Sequence, residues 1–277
     1  MRTSPLARTG QYAALLVYLA FLALPLLWLL STALKTPPEI ARIDPTVIPL
    51  DPTLQNFVDA FREQPILQSM SNSLVVAGTS AIVTVVLSVP AAYVMARYRS
   101  VVSTAAMVWV LLSQIFPFIL VIIPLFLLAR DAGLYDTHLG LVLVYVVWSM
   151  PFALWMIRSY VASIPLELEE AAAMDGATRW RTLRSVVAPL LAPGIVAAAM
   201  FAFVNAWNEF FFALVLIKDP DLATLSLTLV KFIGAEGVAR LGPLAAASLV
   251  ATVPSLLFFA AIQRRLVGGL LGGAVKS

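Results

Sequence analysis

The sequence contains no cysteine and only one histidine, His138. The first absence excludes disulfide bonds and thiolate metal sites, and the second excludes metal sites built from several histidines. Charged residues make up 12% of the 277 residues, whereas a soluble domain carries about 25%. Because 61% of the residues are hydrophobic, the composition indicates a membrane protein rather than a soluble domain.

Six stretches of the sequence lack Asp, Glu, Lys and Arg altogether. Each is long enough to cross a bilayer, which takes about 20 apolar residues. Backbone groups in lipid must be hydrogen-bonded internally, so we expect helices rather than open strands. The first run is longer than the apolar core of a signal peptide and therefore predicts an uncleaved span. The prediction is an all-α membrane protein with six transmembrane helices, near 11–33, 71–96, 104–128, 138–160, 187–217 and 243–263.

The distribution of basic residues predicts the orientation of these spans. Eleven of the eighteen Lys and Arg residues fall on the side that holds the N-terminus, 97–103, 158–186 and the tail from 264. Cytoplasmic loops carry the excess of Lys and Arg, so we expect this side to be cytoplasmic. Both termini are then cytoplasmic, which agrees with an even number of spans, since that number places both termini on the same side.

Residues 163–186 connect the fourth and fifth predicted spans. Ser163 is predicted to cap a short helix, whose three glutamates lie near the positive end of the helix dipole. Gly176 predicts a sharp break, because glycine readily adopts the left-handed conformation that ends helices. Thr178 is predicted to cap a second helix. On residue chemistry alone, the segment fits either a solvated loop or a helix that docks on another protein.

Two motifs in this region resemble the Glu-Ala-Ala…Gly…Pro signature of binding-protein-dependent ABC importer permeases. They are Glu170-Ala-Ala-Ala-Met-Asp-Gly176-Ala and Val187-Ala-Pro189-Leu-Leu-Ala-Pro193. Other features resemble the carbohydrate branch, specifically the second membrane subunit of maltose-type importers. These features are Asn56-Phe57, Trp207-Asn208-Glu209-Phe210 and the glycine-rich tail at 264–277. The resemblance covers nearly the whole chain and implies the type I importer permease fold in a single domain, 1–277.

The resemblance implies that 163–186 holds a coupling helix, which docks in a cleft of a cytoplasmic ATPase and transmits its closure to the membrane helices. The residues carried over to this role are Glu170, Ala171, Ala172, Asp175 and Gly176. Glu170 would pair with a basic group of the ATPase, and Gly176 would make the turn. The tail at 264–277 would enter the interface between two ATPase subunits, although its composition also fits simple disorder.

Polar residues inside the predicted spans are candidates for the transport path or a gate. Glu209 is the one acid that we place in the bilayer, where an ionisable residue is costly and usually faces a partner or a cavity. Asn205 lies four residues before it and would share its helical face, and Asn208 precedes it directly. Gln114 and Tyr145 are weaker candidates. The same side chains could instead make structural contacts between helices.

We therefore expect a membrane subunit of an ATP-driven importer for an oligosaccharide, disaccharide or polyol. The chain contains no phosphate-binding G-x-x-x-x-G-K-[ST] loop, so it is not expected to be an enzyme by itself. ATP and Mg²⁺ would be bound by two partner ATPase subunits. The other expected partners are a homologous permease, an extracytoplasmic sugar-binding protein and membrane lipids, with no nucleic acid. The expected location is the prokaryotic inner membrane.

Three other functions remain open on the sequence. One is a secondary transporter driven by an ion gradient, which usually contains inverted repeats with discontinuous helices. Another is an ABC permease for a solute other than a sugar, and the third is a receptor or structural subunit.

The resemblance also implies a role for the last outer loop, 218–242. In maltose-type importers this loop reaches into the sugar site of the binding protein, and we expect the same role for its tip near Leu225–Gly237.

Overall fold

A computed structural model describes residues 5–98, 100–234 and 239–274, with the side chains of 5–8 and 264–274 outside the description. Nearly all ordered structure in these ranges is helical. The first half contains six α-helices, and a single 3₁₀ turn at Ser113–Ile115 follows the fifth. They are α1 (Pro5–Leu34), α2 (Pro37–Ile40), α3 (Gln55–Glu63), α4 (Ile66–Arg97), α5 (Val101–Leu112) and α6 (Phe118–Asp131).

The second half is also helical within the described ranges. A π-type turn at Leu183–Val187 follows the ninth helix, and the segment around Ile233 and Ala239 forms one isolated antiparallel bridge. The helices are α7 (His138–Ser163), α8 (Glu167–Met174), α9 (Arg179–Thr182), α10 (Ala188–Leu190), α11 (Ala192–Asn208), α12 (Phe211–Leu216), α13 (Leu225–Val230) and α14 (Leu241–Ala274).

Four helices in the described part are long and apolar enough to cross a membrane alone. They contain the stretches Thr9–Leu34, Ile66–Arg97, His138–Ser163 and Leu241–Gln263. Two bent helix pairs raise the number of candidate spans to as many as six. The chain is thus a multi-pass membrane protein.

The third predicted span, 104–128, is not one straight helix. The segments Val101–Ile115 and Phe118–Asp131 meet at an angle of 104°. Phe116 is extended and Pro117 follows it. Proline lacks the amide hydrogen and disfavours a helical conformation in the residue before it, which explains why the continuous helix is wrong at this point.

The fifth predicted span, 187–217, is also interrupted. The helix α11 ends at Asn208, and Glu209 has an extended backbone with φ −70° and ψ 133°. A second bend, of 78°, separates Arg179–Leu190 from α11. The apolar run correctly located a membrane segment, but the continuous helix predicted across Glu209 is wrong.

The described chain divides into two compact units. One contains Met1–Leu67 and Thr228–Val253, and the other contains Gln68–Leu227 and Pro254–Ser277. Side chains of α4, α7 and α11 and of the 183–191 segment form a hydrophobic core in the second unit. Its fully buried members include Ala92, Ile157, Val161, Val187 and Leu191. Gly194 of α11 faces the Tyr160 ring, where a Cβ atom would come within 2.6 Å, so the close helix contact requires glycine there.

Candidate coupling segment and transport path

The segment 163–186 forms two short helices with a tight turn between them, as the sequence predicted. The helix α8 ends at Met174, and Gly176 has a φ of +77°. The hydroxyl of Thr178 accepts a hydrogen bond from the Arg181 amide and so caps α9, as expected. The expectation for Ser163 is wrong, because this residue ends α7 and its hydroxyl donates to the Tyr160 carbonyl.

Glu169 is the buried acid of this segment and was missed by the sequence reasoning. Its side chain is only 9% exposed. One carboxylate oxygen accepts a 2.6 Å hydrogen bond from the Tyr93 hydroxyl, and the other is 2.7 Å from Arg97 Nε and Nη2. Arg97 also donates to the Ile164 carbonyl at 2.9 Å. The last turn of α4 is thereby connected to both ends of the 164–169 stretch by charge-assisted hydrogen bonds.

The residues that the resemblance assigned to coupling lie on the accessible side of α8 and in the turn that follows it. Glu170, Ala171, Asp175 and Gly176 are exposed, and Ala172 is half-buried. Successive helical residues are rotated by about 100°, so Glu169 and Glu170 point in different directions. The structure therefore separates an inward-facing acid from an outward-facing acid at adjacent positions, with small side chains beside the outward one.

A groove of about 370 Å³ runs between the end of α4 and this segment. Arg97, Tyr98, Glu170 and Arg179 are among its lining residues. Arg179 donates to the Tyr98 hydroxyl, and its guanidinium lies 5.2 Å from the centroid of the Tyr98 ring. The groove therefore presents charges of both signs beside the exposed alanines, which suits a polar protein partner better than lipid.

Glu209 lies at a helix break rather than within a helix. Its carboxylate accepts hydrogen bonds from the amides of Phe212 at 2.8 Å and Ala213 at 3.1 Å, which are the free donors at the start of α12. It also accepts from the Tyr145 hydroxyl at 2.7 Å. The acid thus stabilises the interruption of the membrane segment and connects it to α7.

The polar stripe expected along α11 does not form. Glu209 is outside the helix, so it does not share a helical face with Asn205. The Asn205 amide donates to the Phe201 carbonyl, and the Asn208 amide donates to the Val204 carbonyl, each at 2.9 Å. Both asparagines are exposed on the described chain. The structure brings together only Tyr145 and Glu209 from the predicted path residues.

Gln114 lies in a different place, at the break between α5 and α6. It is exposed and lines a cavity of about 390 Å³ together with Trp109, Phe116 and Trp148. Tyr145 is not among the lining residues. Most of the lining is apolar, and the Ser113 hydroxyl is already bonded to the Val110 carbonyl at 2.7 Å. This cavity offers ring surfaces with few free hydrogen-bonding groups.

Side chains from the ends of α4 and α7 hold the stretch 216–225, at the base of the last predicted outer loop. Asn72 donates to the carbonyls of Asp221 and Ala223, and the Ser73 hydroxyl accepts from the Leu225 amide. A ring nitrogen of His138 lies 3.1 Å from the Leu222 carbonyl oxygen. The base of the loop is therefore fixed to the helix ends.

Asp136 adds a further contact to the same base. Its carboxylate accepts hydrogen bonds from the Lys218 and Asp219 amides at 2.8 and 2.9 Å. The amides of Asp219 and Lys218 hold the pKa of the Asp136 carboxyl below its ordinary value, because they stabilise the charged form. The φ of Asp136 is +56°, a conformation that Asp and Asn tolerate better than most residues.

Two predicted sites fall partly outside the described residues. Residues 235–238, within the expected tip of the last outer loop, are outside the description. The backbone of the glycine-rich tail is described as part of α14 up to Ala274, whereas its side chains and residues 275–277 are not. The expected roles of these two segments stay predictions.

Comparison with known proteins supplies independent information on this architecture. The model of the family described as "Binding-protein-dependent transport system inner membrane component" matches residues 88–270. A Streptomyces antibioticus protein described as an ABC transporter permease is 59% identical over 230 residues, covering 83% of this chain and 100% of its own. The trehalose transport system permease protein SugB of Mycobacterium tuberculosis is 36% identical over 273 residues, covering 98% of this chain and 99% of its own.

A solved structure supports the same fold. One chain of a bacterial ABC transporter involved in the import of the acidic polysaccharide alginate matches with a TM-score of 0.77. The match covers 95% of this chain and 99% of that chain, at 21% sequence identity. The overall fold of this chain is thus shared with a chain of a solved transporter.

Proposed function

Because this chain belongs to the family of binding-protein-dependent transport system inner membrane components, we propose that it is a permease subunit of an ATP-driven sugar importer. The named relatives SugB and DasC belong to trehalose and diacetylchitobiose transport systems, which supports a sugar as the substrate. The proposal includes six spans and cytoplasmic termini, with each of the two bent helix pairs counted as one span. The bias of Lys and Arg supports that orientation.

The observation that carries this proposal is the arrangement of Glu169 and Glu170. Glu169 fastens α8 to the end of α4, and Glu170 remains exposed next to alanines and the Gly176 turn. A separate ATPase that binds this exposed surface would therefore pull directly on a membrane helix. In this proposal ATP and Mg²⁺ are bound by two ATPase subunits, and α8 transmits their closure. Two helix packings that a ligand biases are sufficient for alternating access.

The proposed complex contains a homologous permease and an extracytoplasmic sugar-binding protein. Support for the binding protein comes from the family description and from a related alginate transporter solved with a periplasmic protein that carries an alginate pentasaccharide. The fixed base of the 218–242 loop is a suitable platform for that protein. We assign Glu209 and Tyr145 to a gate and leave Asn205, Asn208 and Gln114 as weaker candidates for direct contact with the sugar.

Uptake into vesicles tests the function. Proteoliposomes that contain the complete complex should accumulate labelled sugar only when both ATP and the binding protein are supplied. Uptake driven by a proton or sodium gradient without ATP would instead identify a secondary transporter. A complex that hydrolyses ATP in response to an amino acid or a metal chelate, and not to any sugar, would contradict the substrate class alone.

Variants of the exposed surface test the coupling role. Glu170→Lys and Gly176→Leu should lower sugar uptake at least tenfold while sugar binding to the external protein stays unchanged. The first places a like charge opposite a basic partner, and the second forces a Cβ-bearing residue into a positive φ. Asp44→Lys, an equal charge change at an exposed position outside the segment, is the control. Full coupling in both variants would show that α8 is not the transmitting element.

A further inference from the structure

Two charged side chains are buried just after the first candidate span. Lys35 follows α1 directly and is 3% exposed, and Glu39 in α2 is 7% exposed. Lysine and glutamate are almost never this deeply buried unless they are paired. Their burial is therefore a feature that requires an explanation, and the proposed transport mechanism does not use it.

The loop 41–50 covers these two residues and satisfies part of their hydrogen-bonding capacity. Glu39 Oε1 accepts from the Thr46 hydroxyl at 2.6 Å and from the Leu50 amide at 3.0 Å. The Thr46 hydroxyl in particular lowers the pKa of Glu39, which keeps the carboxylate charged at neutral pH. Lys35 donates to the Thr46 carbonyl, and its Nζ lies 4.8 Å from the centroid of the Trp28 ring.

Part of the hydrogen-bonding capacity of both groups is unused within the described residues, although the Asp51 amide also donates to the Glu39 carboxylate. Glu39 Oε2 is buried without a hydrogen-bond partner. The ammonium of Lys35 has three donors, and its described hydrogen bond to Thr46 uses one of them. The two groups do not form a direct ion pair in the part of the chain that the structure describes. A buried carboxylate oxygen without a hydrogen bond is costly, and Lys35 keeps unused donors, so the site has the capacity to bind a further polar group.

A cavity of about 250 Å³ lies at these two groups. Its lining includes Trp28, Leu29, Thr32, Lys35, Glu39 and Leu244. The cavity lining thus combines the charged side chains of Lys35 and Glu39 with apolar side chains such as those of Trp28, Leu29 and Leu244. An occupant that fits this lining has both a charged and an apolar part.

The position of the cavity along the chain places it at a membrane surface. The stretch Thr9–Leu34 has no buried residues in its most apolar window, so its side chains face lipid or another subunit. Lys35 is the first charge after that stretch, and Trp28 is about two helical turns before it, an arrangement typical of the headgroup region. This placement holds for either orientation of the protein, because both bilayer surfaces carry headgroups.

We propose that this cavity binds the headgroup of a zwitterionic phospholipid with a primary ammonium group. The lipid phosphate accepts hydrogen bonds from Lys35 Nζ, and the lipid ammonium donates to the Glu39 carboxylate. The headgroup and the site are each neutral overall, and their opposite charges are complementary. The acyl chains lie along the exposed apolar side chains of α1, beside Trp28 and Leu29. A lone water would fill only part of the volume, and a sugar would leave the ammonium and carboxylate without countercharges.

Lipid exchange on the intact complex tests the proposal. The complex is purified in detergent, stripped of lipid, and incubated with equal amounts of dioleoyl phosphatidylethanolamine and dioleoyl phosphatidylcholine. The two lipids share their chains and phosphate, but the quaternary ammonium of phosphatidylcholine has no N–H donor for Glu39. Native mass spectrometry should show at least a fivefold preference for phosphatidylethanolamine. Soluble glycerophosphoethanolamine should compete only weakly, because it lacks the chains.

Matched variants assign the binding to this site. Glu39→Gln and Lys35→Gln should each reduce the preference to less than twofold, whereas Arg42→Gln, an exposed charge in the same loop, should keep it. The wild-type comparison remains decisive if a variant fails to fold. Equal retention of the two lipids by the wild type would overturn the proposal, as would an unchanged preference in folded Glu39→Gln. Strong competition by glycerophosphoethanolamine would show that the site binds a soluble ligand and would also overturn it.

Discussion

Glu169 is buried and Glu209 is half-buried, and each accepts a hydrogen bond from a tyrosine hydroxyl, at 2.6 and 2.7 Å respectively. They differ in their remaining partners. Glu169 is paired with the Arg97 guanidinium, whereas Glu209 accepts from two backbone amides and has no cation among its described partners. The first acid therefore joins two helices through a charge pair, and the second maintains a break within one membrane segment.

This difference suggests different mechanical roles. A charge pair resists separation of the two elements that it joins, so α8 and the end of α4 should move together when a partner displaces them. A carboxylate that caps a short helix instead stabilises a local bend, which can change without moving a distant element. Coupling at 163–186 and gating near 209 can thus be tested separately.

The largest expected effect is that of Glu169→Ala. The change leaves Arg97 poorly solvated and without its carboxylate, and we expect a loss of about 3 kcal/mol in unfolding free energy. Thermal unfolding of the purified complex, followed by size-exclusion chromatography after heating, measures the loss. Glu170→Ala at the adjacent exposed position should change stability by less than about 0.5 kcal/mol. Equal losses for the two variants would contradict the division between inward and outward acids.

Glu209→Ala should have the next largest effect, about 2 kcal/mol, because two amides and the Tyr145 hydroxyl lose a charged acceptor. Sugar uptake should fall together with stability. Glu209→Gln keeps one oxygen acceptor and should recover about half of the loss. If uptake is unaffected in stable Glu209→Ala complexes, the break at 209 does not form part of a gate.

Removing one hydroxyl from each site gives the most direct comparison. Tyr145→Phe should cost about 1.5 kcal/mol, and Tyr93→Phe about 0.5 kcal/mol. The second loss is smaller because Arg97 still pairs with Glu169 in that variant, whereas Glu209 has only its two amides left. Parallel thermal melts measure both values. A larger loss of unfolding free energy for Tyr93→Phe than for Tyr145→Phe would contradict this. It would mean that the Arg97–Glu169 ion pair is not the main contribution to stability at Glu169.

The smallest expected effect concerns a third carboxylate, Asp136, which accepts only from backbone amides. Its pKa is lower in the folded state, so the stabilisation is complete above the unfolded pKa of about 3.9 and is lost as pH falls through the lower folded value. Asparagine tolerates the same positive φ, so Asp136→Asn should keep the turn intact. The melting temperature of this variant should fall less steeply than that of the wild type as the pH is lowered. Asp131→Asn, an exposed neighbour, should leave the wild-type pH profile of the melting temperature unchanged.

Local sequence signals predicted several elements correctly. Apolar runs located the membrane segments, the residue types around Thr178 predicted its cap, and Gly176 marked a turn that has the positive φ expected of it. Each of these signals depends on neighbouring residues only. The breaks at Phe116–Pro117 and at Glu209 were missed, although Pro117 in one case and a lone acid in the other were visible signals for an interruption.

The sequence by itself determined that the chain crosses the membrane several times and contains a short Glu-Ala-Ala helix that ends at Gly176. Hydrophobicity, helix propensity and glycine conformation are local properties, so composition and spacing were sufficient. Only the tertiary structure decided that Glu169 is the buried acid and Glu170 the exposed one. The partners of Glu169 are Arg97 and Tyr93, which lie 72 and 76 positions away in the sequence. Packing of α4 against the 163–186 segment brings them together. The same applies to Glu209, whose partner Tyr145 is 64 positions away and whose role depends on a helix that ends before it.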